Sequence, residues 1–257
     1  MSAVSELLRE PADAAAGAAA GGAAGYIDLL GDRPSGADTR AQRAMTSWAL
    51  PLIYERLWRP LGVRLALSLF GVGTSVEEQM TYELLAPQPG DKVLDVACGP
   101  VNVTRRLLGW VGDKGTVVGV DASPTMLARA VRDTAAPNVA YLRADAQRLP
   151  FRDEAFDVVC CYAALYLIED PFAAIDELIR VLAPGGRLAV LASCHRGPEP
   201  FRHVATAFTA PGGVRVFGRA ELTDAFRAGG LVDVRRRVTG VAQFVGGRKQ
   251  GPPAPPA

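Results

Sequence analysis

Between residues 91 and 192 the chain alternates short apolar runs with stretches whose apolar residues recur every three or four positions. Val93, Leu94 and Val96 make the first run, with Asp95 inside it, and the run stops at Cys98-Gly99-Pro100. Beyond it Val103, Leu107 and Leu108 are spaced for a helix, and Arg105 and Arg106 fall off the apolar stripe. The change of period predicts a buried strand, a tight turn and a helix. The unit then repeats. A second run over 116–120 ends in Asp121, and Ser123-Pro124 starts a helix as N-cap and first-turn proline. A third run over 139–142 leads to Asp145, and a fourth spans 156–161. Asp170-Pro171 opens a helix striped by Ile175, Leu178, Ile179 and Leu182, and Pro184-Gly185-Gly186 turns into a fifth run at 188–191. Residues 221–228 read as a helix closed by Gly229-Gly230. Residues 232–238 and 241–245, split by Thr239-Gly240, read as an antiparallel hairpin.

Strands alternating with helices predict an α/β protein with a doubly wound sheet of seven strands. Its sheet is mostly parallel, with an antiparallel C-terminal hairpin. Residues 1–37 are rich in alanine and glycine and are expected to be flexible. Over 38–74, Trp48, Leu52, Ile53, Leu57 and Leu61 repeat at helical spacing, and Pro51 and Pro60 divide the stretch, predicting a helical appendage. Residues 75–249 form the expected α/β domain, starting with a helix over 76–85, and 250–257 is a proline-rich tail.

With 257 residues, 49% of them apolar, one such domain plus an appendage is the natural size. A net charge of +1 leaves no electrostatic footprint for nucleic acid. Four cysteines without a CxxC spacing and two histidines argue against a metal site and a disulfide framework, so a reducing cytoplasm is expected. Acidic residues precede the alanine-rich run, which disfavours a signal peptide, and prolines and charges in 38–74 disfavour stable membrane insertion.

In an open parallel sheet, ligands bind at the carboxyl ends of the strands. Asp121 stands 22 residues after Gly99 at such an end, where an acid accepts hydrogen bonds from a ribose diol. With Asp145 after the next strand, the pattern points to a nucleoside-bearing ligand. His195 follows the fifth strand on the same edge, and an imidazole there is a candidate general base.

The series Val93-Leu-Asp-Val-Ala-Cys-Gly99, Gly119-Val-Asp-Ala-Ser123, Ala144-Asp-Ala146, Phe156-Asp-Val-Val159 and Leu182-Ala-Pro-Gly-Gly186 resembles the class I S-adenosylmethionine-dependent methyltransferases. It is most similar to their small-molecule, quinone-biosynthesis branch, over about residues 75–250. The resemblance implies a Rossmann-like sheet, S-adenosylmethionine as cofactor and a small, fairly apolar methyl acceptor. It implies that Asp95 lies under the methionine amino group and that Ala97 and Gly99 form the loop along the methionine and ribose. It further assigns Asp121 to the ribose hydroxyls, Ser123 and Met126 to the flanks of the adenine, and Asp145 and Ala146 to its amino edge. Cys161 and Tyr162 would face the reactive end. Tyr162 and Tyr166, four apart, would share one face of a helical turn near the acceptor. Trp48, Tyr54 and Trp58 would wall the acceptor pocket, although the same segment could serve as a homodimer contact.

The family usually has glycine, or a very small residue, where this chain has Ala97 and Val101. A non-catalytic relative whose cofactor affinity is weakened at Val101 is therefore an alternative. A nicotinamide-dependent oxidoreductase is another, disfavoured because the chain has no GxGxxG and no Tyr-x-x-x-Lys after the core strands.

Overall fold

The computed structural model describes residues 2–9, 25–31, 74–99, 102–195 and 215–251. Trp48, Tyr54, Trp58, Val101, the 196–214 linker and the tail after residue 251 lie outside the described residues. The elements in chain order are α1 (Ser2–Ser5), β1 (Ile27–Asp28), α2 (Thr74–Leu85), β2 (Lys92–Val96), α3 (Asn102–Val111), β3 (Thr116–Asp121), α4 (Pro124–Asp133), β4 (Val139–Arg143) and β5 (Phe156–Tyr162). A 3-10 turn (Leu165–Leu167), α5 (Pro171–Val181), β6 (Leu182–Ser193), α6 (Glu221–Ala228), β7 (Leu231–Thr239) and β8 (Ala242–Lys249) complete the series.

The strands form one eight-stranded sheet in the order β1-β4-β3-β2-β5-β6-β8-β7. All neighbours are parallel up to β6, and β8 runs antiparallel to both β6 and β7. From β2 the chain builds outward through β3 and β4, then returns to lay β5 on the other side of β2. The boundary between β2 and β5 is therefore the topological switch point, where a crevice opens above the strand ends.

Parallel strands covered on both faces need apolar residues at every position, which is why these segments read as unbroken runs. Leu94, Val96, Val118, Val120, Val159 and Cys161 share one face with Ile175 and Leu178 of α5, Phe226 of α6 and Val4 of α1. Val93, Val117, Val158 and Cys160 point the other way, against Leu85, Leu107 and Val111. The buried side of α3 is Thr104, Leu107 and Val111, so Val103 and Leu108 sit at its margins.

The sheet departs from expectation in three places. It has an eighth strand, Ile27–Asp28, inside the stretch read as flexible. Val4, Leu7 and Leu8 are buried as well, and Leu8 bridges Phe151. The helical spacing of those three apolar residues is the signal that the alanine-rich composition around them obscured. Pro184-Gly185-Gly186 is also not a turn before a strand. It is a bulge within β6, where Phe156 pairs with Leu182 but Val158 pairs with Arg187. A Cβ at Gly186 would lie 2.8 Å from the Ala183 carbonyl oxygen, so the bulge closes only on glycine.

Asp170 caps α5 as its position before Pro171 predicts, its carboxylate accepting from the backbone N–H groups of Phe172 and Ala173 at 3.0 Å each. Asp170→Ala is expected to cost about 1 kcal/mol. That loss lowers the thermal midpoint by about 2–4 °C in a differential scanning fluorimetry melt.

Candidate active site

The crevice at the switch point is bordered by two left-handed alanines. Ala97 follows β2 with φ +57° and Ala163 follows β5 with φ +57°. A left-handed alanine costs about 1–2 kcal/mol. Such strain persists where surrounding bonds fix the turn, and it concentrates at ligand sites. Here the Cys98 N–H donates to the Val120 carbonyl at 3.0 Å and the Ala163 N–H donates to the Leu191 carbonyl at 2.8 Å. Gly99 is left-handed too, and among the described residues a Cβ on it would meet nothing closer than the Ala97 oxygen at 4.0 Å. The loop thus leaves open space along its backbone.

Asp121, the last residue of β3, ties this loop down. Its carboxylate accepts from the Gly99 N–H at 2.9 Å and the Ser123 N–H at 2.8 Å. Burial pushes its pKa up, against the pull of these N–H bonds and that of Ala122. A carboxylate has about four acceptor positions, so capacity remains for hydroxyl groups of a ligand. Ser123 is buried and caps α4, its hydroxyl accepting from the Met126 N–H at 3.4 Å. Met126 is half-buried on the first turn of that helix. Asp145 closes a turn beside Asp121, accepting from the Gln147 N–H at 2.9 Å, and Ala146 packs partly against the core.

Asp95 lies deeper, 1% exposed. The Thr104 hydroxyl donates to it at 2.6 Å and the Cys160 thiol at 3.4 Å. Burial, the largest influence, pushes its pKa up to about 6; the bonds from Thr104 and Cys160 oppose the rise, and the charges of Asp121 and Glu77 add to it. A buried carboxyl whose charge is opposed by that of the half-buried Asp121 makes a site that favours a cation.

Three expected positions change. Cys161 does not face the crevice: its thiol is buried in the core with Leu94 and Val159, because alternation along β5 turns Cys160, not Cys161, toward Asp95. Tyr162 and Tyr166 do not share a helical face. Tyr162 ends β5 and packs edge-on against Phe244 at 6.2 Å, whereas Tyr166, beyond the left-handed Ala163, packs against the opposite core. Burial raises the Tyr162 pKa, so it stays a neutral phenol. His195 is half-buried two residues past β6, its N–H donating to the Phe217 carbonyl at 3.0 Å.

Sequence reasoning missed Thr104, Cys160 and Arg143. A polar residue on the buried stripe of α3 was the available signal for Thr104, since Thr104 and Leu107 are one turn apart. Arg143 ends β4 beside Asp121 and gave no such signal. Among the described residues no group of His, Cys, Asp and Glu could hold a metal ion, and no helix is long and apolar enough to cross a membrane.

Residues 94–190 match the family model of the methyltransferase domain. The chain is also 40% identical over 118 residues to the ubiquinone/menaquinone biosynthesis C-methyltransferase UbiE of Ectopseudomonas mendocina, covering 44% of this chain and 46% of that one. Residues 94–190 are thus similar to a methyltransferase domain. The matched stretch runs from Leu94 in β2 to Val190 in β6 and so contains Asp95, Asp121 and Asp145, while His195 and the C-terminal hairpin lie beyond it. The chain spans just under half the length of the curated relatives it matches. Among solved structures, a SAM-dependent methyltransferase from Aquifex aeolicus is similar with a TM-score of 0.54 at 22% identity, over 72% of this chain and 92% of that one. Haemonchus contortus phosphoethanolamine N-methyltransferase 2 in complex with S-adenosyl-L-methionine is similar with a TM-score of 0.60 at 15% identity, over 84% of this chain and 61% of that one. At these identities the likeness is one of fold alone.

The buried Asp95 gives a test of the site without ligand. Its folded pKa, about 6, exceeds the unfolded value of 3.8, so the folded state holds more protons between those limits. Its stabilising contribution is full below about pH 4 and is lost as the pH rises through 6. Urea unfolding at pH 4.5 and 7.5 should show Asp95→Asn gaining on the wild type by about 2 kcal/mol at the higher pH. Equal pH slopes for the two proteins would contradict the assignment.

Proposed function

We propose that the chain binds S-adenosylmethionine in the crevice between β2 and β5 and transfers its methyl group to a small, fairly apolar acceptor. The observation that carries this reading is the Asp121 carboxylate, anchored by Gly99 and Ser123 at the end of β3 with acceptor capacity to spare. S-adenosylmethionine fits what surrounds it: a ribose diol for Asp121, a cationic sulfonium and ammonium for the buried acids, and a backbone at Ala97 and Gly99 without bulky side chains. When bound it supplies a methyl group on a positively charged sulfur that leaves as a neutral thioether.

The residues of this chain then have to align and exclude water, since a displacement with so good a leaving group depends mainly on geometry. Asp95, held by Thr104 and Cys160, presents a fixed negative end toward the amino acid part of the donor. Ser123 fixes the start of α4, so that Met126 would flank the adenine, and the Asp145-Ala146 turn would meet the adenine edge. On the acceptor side, His195 is the candidate proton acceptor, and Tyr166 and the neutral Tyr162 are candidate wall residues. Trp48, Tyr54 and Trp58 belong to the same proposed wall. The named activity of the UbiE relatives, C-methylation in ubiquinone and menaquinone biosynthesis, favours an electron-rich phenol or quinol as acceptor.

Titration calorimetry should give micromolar binding of S-adenosylmethionine and S-adenosylhomocysteine to the wild type. Asp121→Ala should weaken both at least about tenfold. Incubation with S-adenosylmethionine and a panel of phenols, quinols and lipids should add one methyl group to a panel member, read by mass spectrometry. A wild type that binds neither nucleoside would end the proposal.

A further inference from the structure

Asp28, Arg143 and Asp121 stand in register across three adjacent parallel strands, at the carboxyl ends of β1, β4 and β3. Arg143 thus lies between two aspartates and divides its bonds unequally. Its Nη1 donates to Asp28 Oδ2 at 3.0 Å and to the Gly31 carbonyl at 2.8 Å, and its Nε donates to the Ala122 carbonyl at 3.1 Å. Asp28 is itself fixed by its own turn, accepting from the Leu30 and Gly31 N–H groups at 3.0 and 2.9 Å. Its pKa is lowered: burial raises it, but the N–H of Gly31 and the Arg143 guanidinium outweigh that effect. The strap over 25–31 is held as well by the Leu29 N–H, which donates to the Arg143 carbonyl at 3.0 Å.

Two consequences follow for Asp121. Ala122 is the peptide between Asp121 and Ser123, so the Arg143 bond to its carbonyl fixes the turn whose N–H groups orient the Asp121 carboxylate. Asp28 also draws the guanidinium away, leaving Asp121 with backbone donors alone among the described residues. A guanidinium released from Asp28 would bind the neighbouring carboxylate and fill the acceptor positions a diol needs.

We infer that Asp28 and Arg143 are positioning residues for the ribose half of the methyl donor, and that the 25–31 strap keeps Asp121 both oriented and vacant. This rests on the proposed donor site. A merely structural ion pair would stabilise the strap without distinguishing one nucleoside from another, whereas a role through Asp121 acts only on ligands that carry the diol.

The test compares S-adenosylhomocysteine with its 2′,3′-dideoxy analogue by calorimetry on the wild type, Arg143→Met and Asp28→Asn. In the wild type the analogue binds at least about tenfold more weakly. Arg143→Met should lose most of that tenfold for S-adenosylhomocysteine and change the analogue less than about twofold, and Asp28→Asn should act in the same sense. The double variant should be no worse than the weaker single one, since the two residues act as a unit. Equal losses for both ligands, or an unchanged ratio between them, would overturn the inference. A wild type that binds both ligands equally would overturn it too while leaving donor binding intact. A wild type that binds neither would remove the donor site itself, a separate result. Should Arg143→Met fail to fold, Asp28→Asn carries the comparison. Hydrogen exchange on the wild type is the second measurement: S-adenosylhomocysteine should slow the Leu30 and Gly31 amides, and no change would count against the strap.

Discussion

The bond from the Gly99 N–H to the Asp121 carboxylate joins the turn after β2 to the end of β3. Most of what the site can do depends on it. Without it, the left-handed backbone at Ala97 and Gly99 would have less to hold it, because an alanine in that region relaxes unless its surroundings fix it. With it, the crevice between β2 and β5 has a rigid floor of small residues, and a carboxylate is presented at its rim. The sheet order supplies the crevice; this bond gives it a shape.

The same arrangement is electrostatically unfavourable when no cation is present. Asp95 and Asp121 are both pushed toward their neutral forms by burial, and the charge of Asp121 adds to the cost of charging Asp95. Thr104, Cys160 and the backbone N–H groups of the loops offset part of that cost. A site that holds acids in a costly state gains most from a positively charged partner, which is what the proposed sulfonium donor would supply. The fold by itself would not carry this conclusion, since doubly wound sheets serve many chemistries.

The region away from the crevice is organised to keep it rigid. Each parallel strand sends alternate residues into one of two cores, so β2, β3 and β5 are clamped on both faces. The antiparallel β8 fixes the far side of β6, and β1 covers the edge of β4. Covering that edge also pairs the backbone at the carboxyl end of β4, at Leu142 and Arg143.

From residue 76 onward the sequence by itself determined the element series, because continuous apolar runs and helical stripes are local patterns that burial on two faces requires. Ser123 and Asp170 were legible as caps for the same reason: a cap bonds to backbone two or three residues away. The order of motifs was enough to place Asp95, Asp121 and Asp145 at strand ends and to anticipate the methyltransferase domain. Tertiary structure alone decided which side chains meet across strands. Cys160 rather than Cys161 reaches Asp95, Tyr162 and Tyr166 fall on opposite faces, and residues 25–31 dock 115 positions from their partner Arg143. Those outcomes depend on strand register, on a left-handed residue at a strand end and on a contact between distant segments. None of these leaves a periodic trace in the chain, so they are fixed only when the sheet closes.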